Sequence, residues 1–186
     1  VSSTDDGYAY DVTASIQREF LERSLFAKMA YTYGDSRSLN DATSDQISST
    51  WRFNENVRGL NTLELARSDG SIGHRVLGVL TFRKEFLRNL GTSISAVYTG
   101  ESGRPYSFII GNNFAFTGEG SGTSPLAFIP TNAGDLRFQA FTSGGVTYTA
   151  EQQRDAFEAF MAGDDYLNSR RGNYAERNAA RTPFEH

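Results

Sequence analysis

The sequence predicts an all-β fold of long antiparallel strands, and three of its features carry that prediction. Apolar and polar residues alternate with a period of two over stretches of about a dozen residues, as in strands with one apolar face. The connections between these stretches are alternately short and very long. Aromatic residues are abundant, with 14 Phe and 9 Tyr against 1 Trp in 186 residues, and many of them lie near the predicted strand ends.

The first two predicted strands form a hairpin. The strand over about 8–20 places Tyr8, Tyr10, Val12, Ala14 and Ile16 on one face, and polar residues occupy most positions between them. The strand over about 25–34 has its own alternate row, which consists of Leu25, Ala27, Met29, Tyr31 and Tyr33. The polar residues 22–24 leave only a short connection, which predicts antiparallel pairing.

Two further strands are predicted over about 74–84 and 91–100, joined by a short turn. The later strand alternates clearly, with Ile94, Ala96 and Tyr98 in one row. The earlier strand has apolar residues in both rows, so the pattern does not show which of its two faces is the apolar one. Residues 182–186 can open a fifth strand.

Residues of about 35–73 and 111–181 are predicted to be two long irregular loops. The second loop contains one short predicted helix, because Thr149 and Gln152 have the spacing of a capping box and Gly163 is a plausible stop. Asp164 and Asp165 follow this helix, and we expect nearby arginines to compensate their charge.

Composition and charge exclude several classes of protein. The net charge of -4 argues against a dedicated nucleic-acid binder. The absence of cysteine excludes disulfide scaffolds, thiolate catalysis and Cys-ligated metal sites. No run approaches the ~20 apolar residues that a membrane-spanning helix needs.

Long strands, alternating connections and aromatic strand ends are together typical of an outer-membrane β-barrel, with an apolar outward face and aromatic girdles. From Tyr10 to Phe20 the strand covers roughly 33 Å, or roughly 23 Å along the membrane normal at a tilt of about 45°. We therefore predict seven membrane-interface aromatics with a structural role: Tyr8, Tyr10, Phe20, Tyr31, Tyr33, Phe82 and Tyr98.

Four or five strands cannot close a barrel, because the smallest bacterial barrels have about eight. We therefore expect residues 1–186 to form an antiparallel meander that is one part of a larger barrel. A soluble β-sandwich stays open as an alternative, but its strands average about five or six residues and loops of this length are uncommon in it.

Four segments, in order along the chain, resemble one protein family. They are residues 31–36 (YTYGDS), 100–106 (GESGRPY), 128–130 (FIP) and 170–186 (RRGNYAERNAARTPFEH), of which the last is the most specific. They are similar to the C-terminal part of the barrel of Oar-like TonB-dependent outer-membrane receptors. The resemblance covers essentially the whole chain.

The resemblance implies a 22-stranded barrel with an N-terminal plug in the bacterial cell outer membrane. It implies energy-coupled import of a solute that the sequence does not identify. The implied partners are the lipid bilayer, the remaining strands and plug of the same full-length chain, and TonB through an N-terminal part that this sequence lacks. No family ligand residue maps onto these positions, so the substrate-binding residues stay unknown.

The leading hypothesis is therefore a wall and extracellular-loop segment of a TonB-dependent transporter. The alternatives are a non-transporting barrel that displays adhesive or binding loops, a soluble β-rich binding module and an enzyme. An enzyme ranks last, since no Gly-x-Ser-x-Gly elbow accompanies His74 or His186. We assign no catalytic, cofactor or metal residue. Arg75 and Arg83 share one strand face, where they would line the lumen or pair with plug carboxylates.

Overall fold

The computed structural model describes residues 4–42, 44–87, 90–111 and 125–186. These residues are mostly β-strand, arranged in antiparallel sheets, with few helices. The chain divides into two compact units. The first comprises Val1–Asp41, Leu65–Tyr106 and Arg181–His186, and the second comprises Ala42–Glu64 and Ser107–Ala180.

The first unit is built on one antiparallel sheet. The strands of this unit include β1 (Tyr8–Phe20), β2 (Leu25–Ser38), β3 (Ala66–Arg67), β4 (Gly73–Leu87), β5 (Leu90–Glu101) and β6 (Pro105–Tyr106). The long strands have the order β1-β2-β4-β5, and β3 pairs with the end of β2. Within the described residues the sheet is open, with β1 and β5 at its edges.

The β1–β2 hairpin reverses through a tight turn without glycine. Leu21, Glu22 and Arg23 all have positive φ angles, of 54°, 53° and 72°. The amide of Ser24 donates to the carbonyl of Leu21 at 3.0 Å, which closes the turn. Left-handed backbone is unfavourable for side chains with a Cβ, so the long ladder beside the turn must hold it in place.

The four long strands lie where the alternation predicts them, and three of them are longer than predicted. β2 continues to Ser38, because β1 and β3 offer its polar end hydrogen-bonding partners that the alternation cannot reveal. β4 continues to Leu87 through a bulge after Glu85. The turn residues 88–89 lie outside the described residues. The predicted fifth strand is only an isolated bridge, in which Glu185 pairs with Glu101.

The second unit contains the helices and several short strands. They are α1 (Ile47–Arg52), a 3-10 turn (Ala133–Asp135), α2 (Ala150–Gly163), α3 (Asp165–Ser169), β7 (Phe128–Ile129), β8 (Phe141–Ser143), β9 (Val146–Tyr148) and β10 (Asn173–Tyr174). β11 (Ala180–Arg181) spans the boundary between the units. No helix within the described ranges has both the length and the apolar character needed to cross a membrane.

The second unit has a hydrophobic core of its own, so the prediction of two irregular loops is wrong for much of their length. The core includes Leu126, Ile129, Ala133, Met161, Leu167 and Ala175. Buried Arg177 donates a hydrogen bond to the side chain of Asn54, and the amide of Leu126 donates to the carbonyl of Asn56 at 3.0 Å. These contacts join segments that are far apart in sequence, which explains why the local pattern of apolar residues does not predict them.

The helix predicted after Thr149 is confirmed as α2. The prediction that it is the single helix of this loop is wrong, because α3 follows it. Thr149 and Gln152 form the capping box, and α2 ends at Gly163 as predicted. The carboxylate of Asp164 accepts from the amide of Leu167 at 2.8 Å and caps α3. The arginines after α3 find other partners, as Arg170 pairs with Glu176 and Arg171 with Glu158.

Candidate functional site

The register of the main sheet places one apolar row from each long strand on the same side. Residues paired across antiparallel strands point to the same face, and the partners run Ile16, Met29, Gly78 and Tyr98 across the sheet. We call this side the apolar face. Its large apolar members include Tyr8, Tyr10, Val12, Ile16, Phe20, Leu25, Met29, Tyr31, Tyr33, Val76, Leu80, Phe82, Ile94 and Tyr98.

Most of these side chains are exposed. Ile16 and Ile94, in the two edge strands, are 72% and 66% exposed. Among the residues of β1, β2, β4 and β5 whose side chains the structure describes, the exposed large apolar ones lie on the apolar face, apart from Val97 on the other side and Leu90 at the hairpin end. A sheet in water normally covers such a face. The apolar face is therefore the candidate functional surface.

All seven aromatics predicted from the sequence lie on the apolar face, and they form two groups. Phe20 and Phe82 lie toward the short hairpin turns. Tyr8, Tyr10, Tyr31, Tyr33 and Tyr98 lie toward the end that carries the long connections. Aliphatic residues, such as Ile16 and Leu80, lie between the two groups.

Two histidines join the tyrosine group, which the sequence analysis did not foresee. The hydroxyl of Tyr31 lies 2.7 Å from Nδ1 of His74, and the hydroxyl of Tyr98 lies 2.8 Å from Nδ1 of His186. The ring of Tyr33 also lies 5.0 Å from that of His74. Both hydroxyls therefore have polar partners toward the long-connection end. His74 is the second residue of β4, where the preceding segment joins the strand.

The opposite side of the sheet, which we call the polar face, carries small hydroxyl residues and charges. Hydroxyl pairs link neighbouring strands, with Thr13 and Thr32 at 2.8 Å and Thr81 and Ser95 at 3.0 Å. Arg75 pairs with Glu101 at 3.6 Å within the sheet. Arg83 lies on the same face. The shared face of these arginines was predicted, but the partner of Arg75 was not.

In the second unit, the ion pair between Glu158 and Arg171 is expected to depend on pH. Glu158 accepts hydrogen bonds from Arg171 and from the amide of Ala133, with the Arg171 Nη2–Glu158 Oε1 and Ala133 N–Glu158 Oε2 distances both 2.7 Å. The hydrogen bond from Arg171, followed by that from Ala133, lowers the pKa of Glu158 below its ordinary value of 4.5. The carboxylate thus ties α2 to the 3-10 turn.

We predict that this tie weakens in acid. Because the folded pKa is depressed, its stabilisation is fully present above pH 4.5 and is lost as the pH falls through the folded pKa. Protection of the Ala133 amide against hydrogen exchange, corrected for the intrinsic rate, should fall in that window. Glu158→Gln should show low protection at every pH, and equal pH dependence in both proteins would contradict the prediction.

The described residues contain no group of three or more His, Cys, Asp or Glu side chains arranged to hold a metal ion. The candidate site is a surface in which an apolar band is bordered by aromatic side chains. No family model, curated protein or solved structure matches this chain significantly.

Proposed function

We propose that this chain is a wall and extracellular-loop segment of an outer-membrane β-barrel transporter of the TonB-dependent type, importing a solute that stays unidentified. The observation that carries the proposal is the concentration of exposed large apolar side chains on one sheet face. Burial in lipid would stabilise such a face, whereas water would oppose its exposure.

The distribution of aromatic residues supports the membrane assignment. Lipid-facing barrel strands have an aliphatic band about 25 Å tall between two aromatic girdles. The apolar face has phenylalanines at its short-turn end and tyrosines at its long-connection end. The tyrosine row crosses the sheet obliquely. The register places Tyr98 in line with Gly78, Met29 and Ile16, whereas Tyr10 lies further toward the long-connection end, in line with Asp35. Residues at equal height on tilted strands form such an oblique row.

The open edges of the sheet support a larger barrel. Lipid offers no hydrogen-bond partners to the backbone. The edge strands of a sheet in a membrane must therefore pair with further strands, so that the sheet closes into a barrel. The C-terminal segment already begins to pair with β5, because the amides of Glu101 and Glu185 donate to each other's carbonyls at 3.0 and 2.9 Å. The resemblance of residues 170–186 to Oar-like receptors supports the transporter type and the implied 22 strands.

The membrane assignment is tested by tryptophan reporters on adjacent residues of β1. In a background in which every tryptophan of the whole protein, including Trp51, is replaced by Phe, Ile16→Trp reports on the apolar face and Gln17→Trp on the polar face. With the whole protein in vesicles of bromine-labelled phospholipid, we expect strong quenching of the fluorescence at position 16 and little at position 17. Equal quenching at both positions would contradict the membrane assignment.

The transporter is distinguished from a display barrel by its coupling to the inner membrane. We expect the whole protein to form a crosslink with TonB in cells. Correct insertion without any crosslink would favour the alternative, a non-transporting barrel that displays binding loops.

A further inference from the structure

A short hairpin in the second unit presents aromatic side chains to solvent. Its strands are β8 and β9, and its turn is formed by Gly144 and Gly145, with φ angles of 59° and 79°. Phe141 is the register partner of Tyr148, and their rings are stacked with centroids 5.2 Å apart and planes at 22°. Val146 lies on the same face of the hairpin, two residues before Tyr148. We call Phe141, Val146 and Tyr148 the hairpin platform.

The platform stays exposed although the hydrophobic core of the second unit is close in sequence. Phe141, Val146 and Tyr148 are 50%, 53% and 42% exposed. Phe138 packs instead against that core, with its ring centroid 6.0 Å from that of Phe157. The aromatic pair of the platform stabilises the hairpin, but roughly half of each side chain remains in contact with solvent. The hairpin therefore begins where the chain leaves the core.

The base of the hairpin is fixed to α2. The side-chain amide of Gln153, in α2, donates to the carbonyl of Gln139 at 2.8 Å. The same amide donates to the carbonyls of Tyr148 and Thr149, both at 3.2 Å. Thr149 also begins α2 through its capping box with Gln152. Because both strands are tied at their base, the platform is ordered before a ligand arrives, which lowers the entropy lost on binding.

The hairpin is chemically neutral. No charged residue occurs in the sequence from 138 to 150, although charged residues make up 22% of the chain. The face opposite the platform carries the hydroxyls of Thr142 and Thr147, which lie 3.0 Å apart. An aromatic surface among neutral hydrogen-bonding groups matches a sugar, because C–H groups pack on the negative face of an aromatic ring and sugar hydroxyls need hydrogen-bond partners. An ionic ligand would lose water without gaining a countercharge from the hairpin.

We propose that the hairpin platform binds neutral glycans. A sugar ring packs on Phe141 and Tyr148. The hydroxyls of Tyr148 and of Ser143, which lies on the same face, hydrogen-bond the hydroxyl groups of the sugar. This inference does not depend on the membrane location of the main sheet, because the hairpin belongs to the second unit. It gives that unit a binding role in a transporter and in a display barrel alike.

The test measures oligosaccharide binding by the whole purified protein, in a detergent without a sugar headgroup because such a headgroup would compete. The probes are an array of neutral oligosaccharides of glucose, galactose and mannose, an array of uronic-acid oligosaccharides, and an uncharged apolar peptide. The affinity of the strongest neutral ligand is then measured by calorimetry in Phe141→Ala, Tyr148→Ala and Tyr148→Phe.

The matched control is Tyr174→Ala. Tyr174 is 48% exposed and belongs to another two-stranded pair, in which its register partner is Phe128. The rings of Phe128 and Tyr174 also have centroids 5.2 Å apart, but their planes meet at 69°. The control therefore removes an equally exposed tyrosine that is not part of a stacked pair.

We expect the protein to retain neutral oligosaccharides in preference to the uronic-acid oligosaccharides and the peptide. Phe141→Ala and Tyr148→Ala should each weaken binding about tenfold. Tyr148→Phe should keep most of the affinity because the ring remains, and Tyr174→Ala should leave it unchanged. Retention of no neutral oligosaccharide, equal binding of uronic-acid oligosaccharides, or equal loss in Tyr148→Ala and Tyr174→Ala would overturn the proposal. Preference for the peptide would also overturn it, because the platform would then dock protein.

Hydrogen exchange at the amide of Gln152, which donates to the hydroxyl of Thr149 at 3.1 Å, reports whether a variant keeps the base of the hairpin. If protection of this amide falls in Tyr148→Ala, Tyr148→Leu replaces it, since leucine keeps an apolar side chain without an aromatic ring. Normal glycan binding by Tyr148→Leu would overturn the proposal. Quenching of Ile16→Trp tests the membrane assignment separately, so either proposal can fail alone.

Discussion

Ile16→Arg is expected to destabilise the proposed barrel in a membrane by about 2–4 kcal/mol. Ile16 lies near the middle of β1, between the two aromatic groups, and its side chain is 72% exposed on the apolar face. A charge there would have to enter the hydrocarbon core, where neither water nor a protein partner can solvate it. The loss is measured as a shift in the urea unfolding midpoint of the whole protein in lipid vesicles.

The matched control for this substitution is Ser15→Arg. Ser15 precedes Ile16 in β1 and lies on the polar face, opposite Ala30. An arginine there stays in a polar environment, so we expect a change within about 0.5 kcal/mol. Losses of similar size at the two positions would show that the faces do not differ in environment, and the proposed orientation of the sheet would be wrong.

Gly103→Ala is expected to detach the C-terminal segment from the sheet. A Cβ atom at this position would lie 2.2 Å from the carbonyl oxygen of Thr182 and 2.5 Å from that of Pro183. Backbone atoms cannot move aside as a flexible side chain can, so overpacking here should cost about 3 kcal/mol. The local readout is hydrogen exchange at the amide of Thr182, which donates to the carbonyl of Arg104 at 3.0 Å.

Gly91→Ala is the control, because a Cβ at Gly91 in β5 meets nothing within 4 Å. It should leave the exchange of Thr182 unchanged and alter stability only slightly. Unchanged exchange of the Thr182 amide in Gly103→Ala would mean that the close approach of residues 182–183 does not hold this segment in place.

The part of the fold that sequence predicts well is the part governed by short-range periodicity. Each turn-linked pair of long strands lies where the alternation indicates, because one apolar face imposes a period of two on each strand. The capping box from Thr149 to Gln152 is equally local, so α2 begins and ends as predicted. Six of the seven aromatics fall on the apolar face for the same reason, whereas Phe82, in β4, is placed there by the register with β2.

What sequence could not predict depends on contacts between distant residues. In β4 both rows are apolar, since Leu77 and Val79 lie on the polar face, and only the register with β2 assigns them. The core of the second unit brings Leu126 together with Met161, and buried Arg177 bonds Asn54. Arg37 of β2 and Arg67 of β3 likewise approach Asp35 from strands whose pairing leaves no local signal.

The open edges of the main sheet have a consequence for a separated copy of this chain in water. Outside an assembled barrel, β1 and β5 would offer backbone donors and acceptors to any extended polypeptide, beside a broad oily surface. Copies would then stack edge to edge and precipitate. If the proposed barrel forms, a chaperone would have to bind such a segment during biosynthesis until its neighbouring strands are in place.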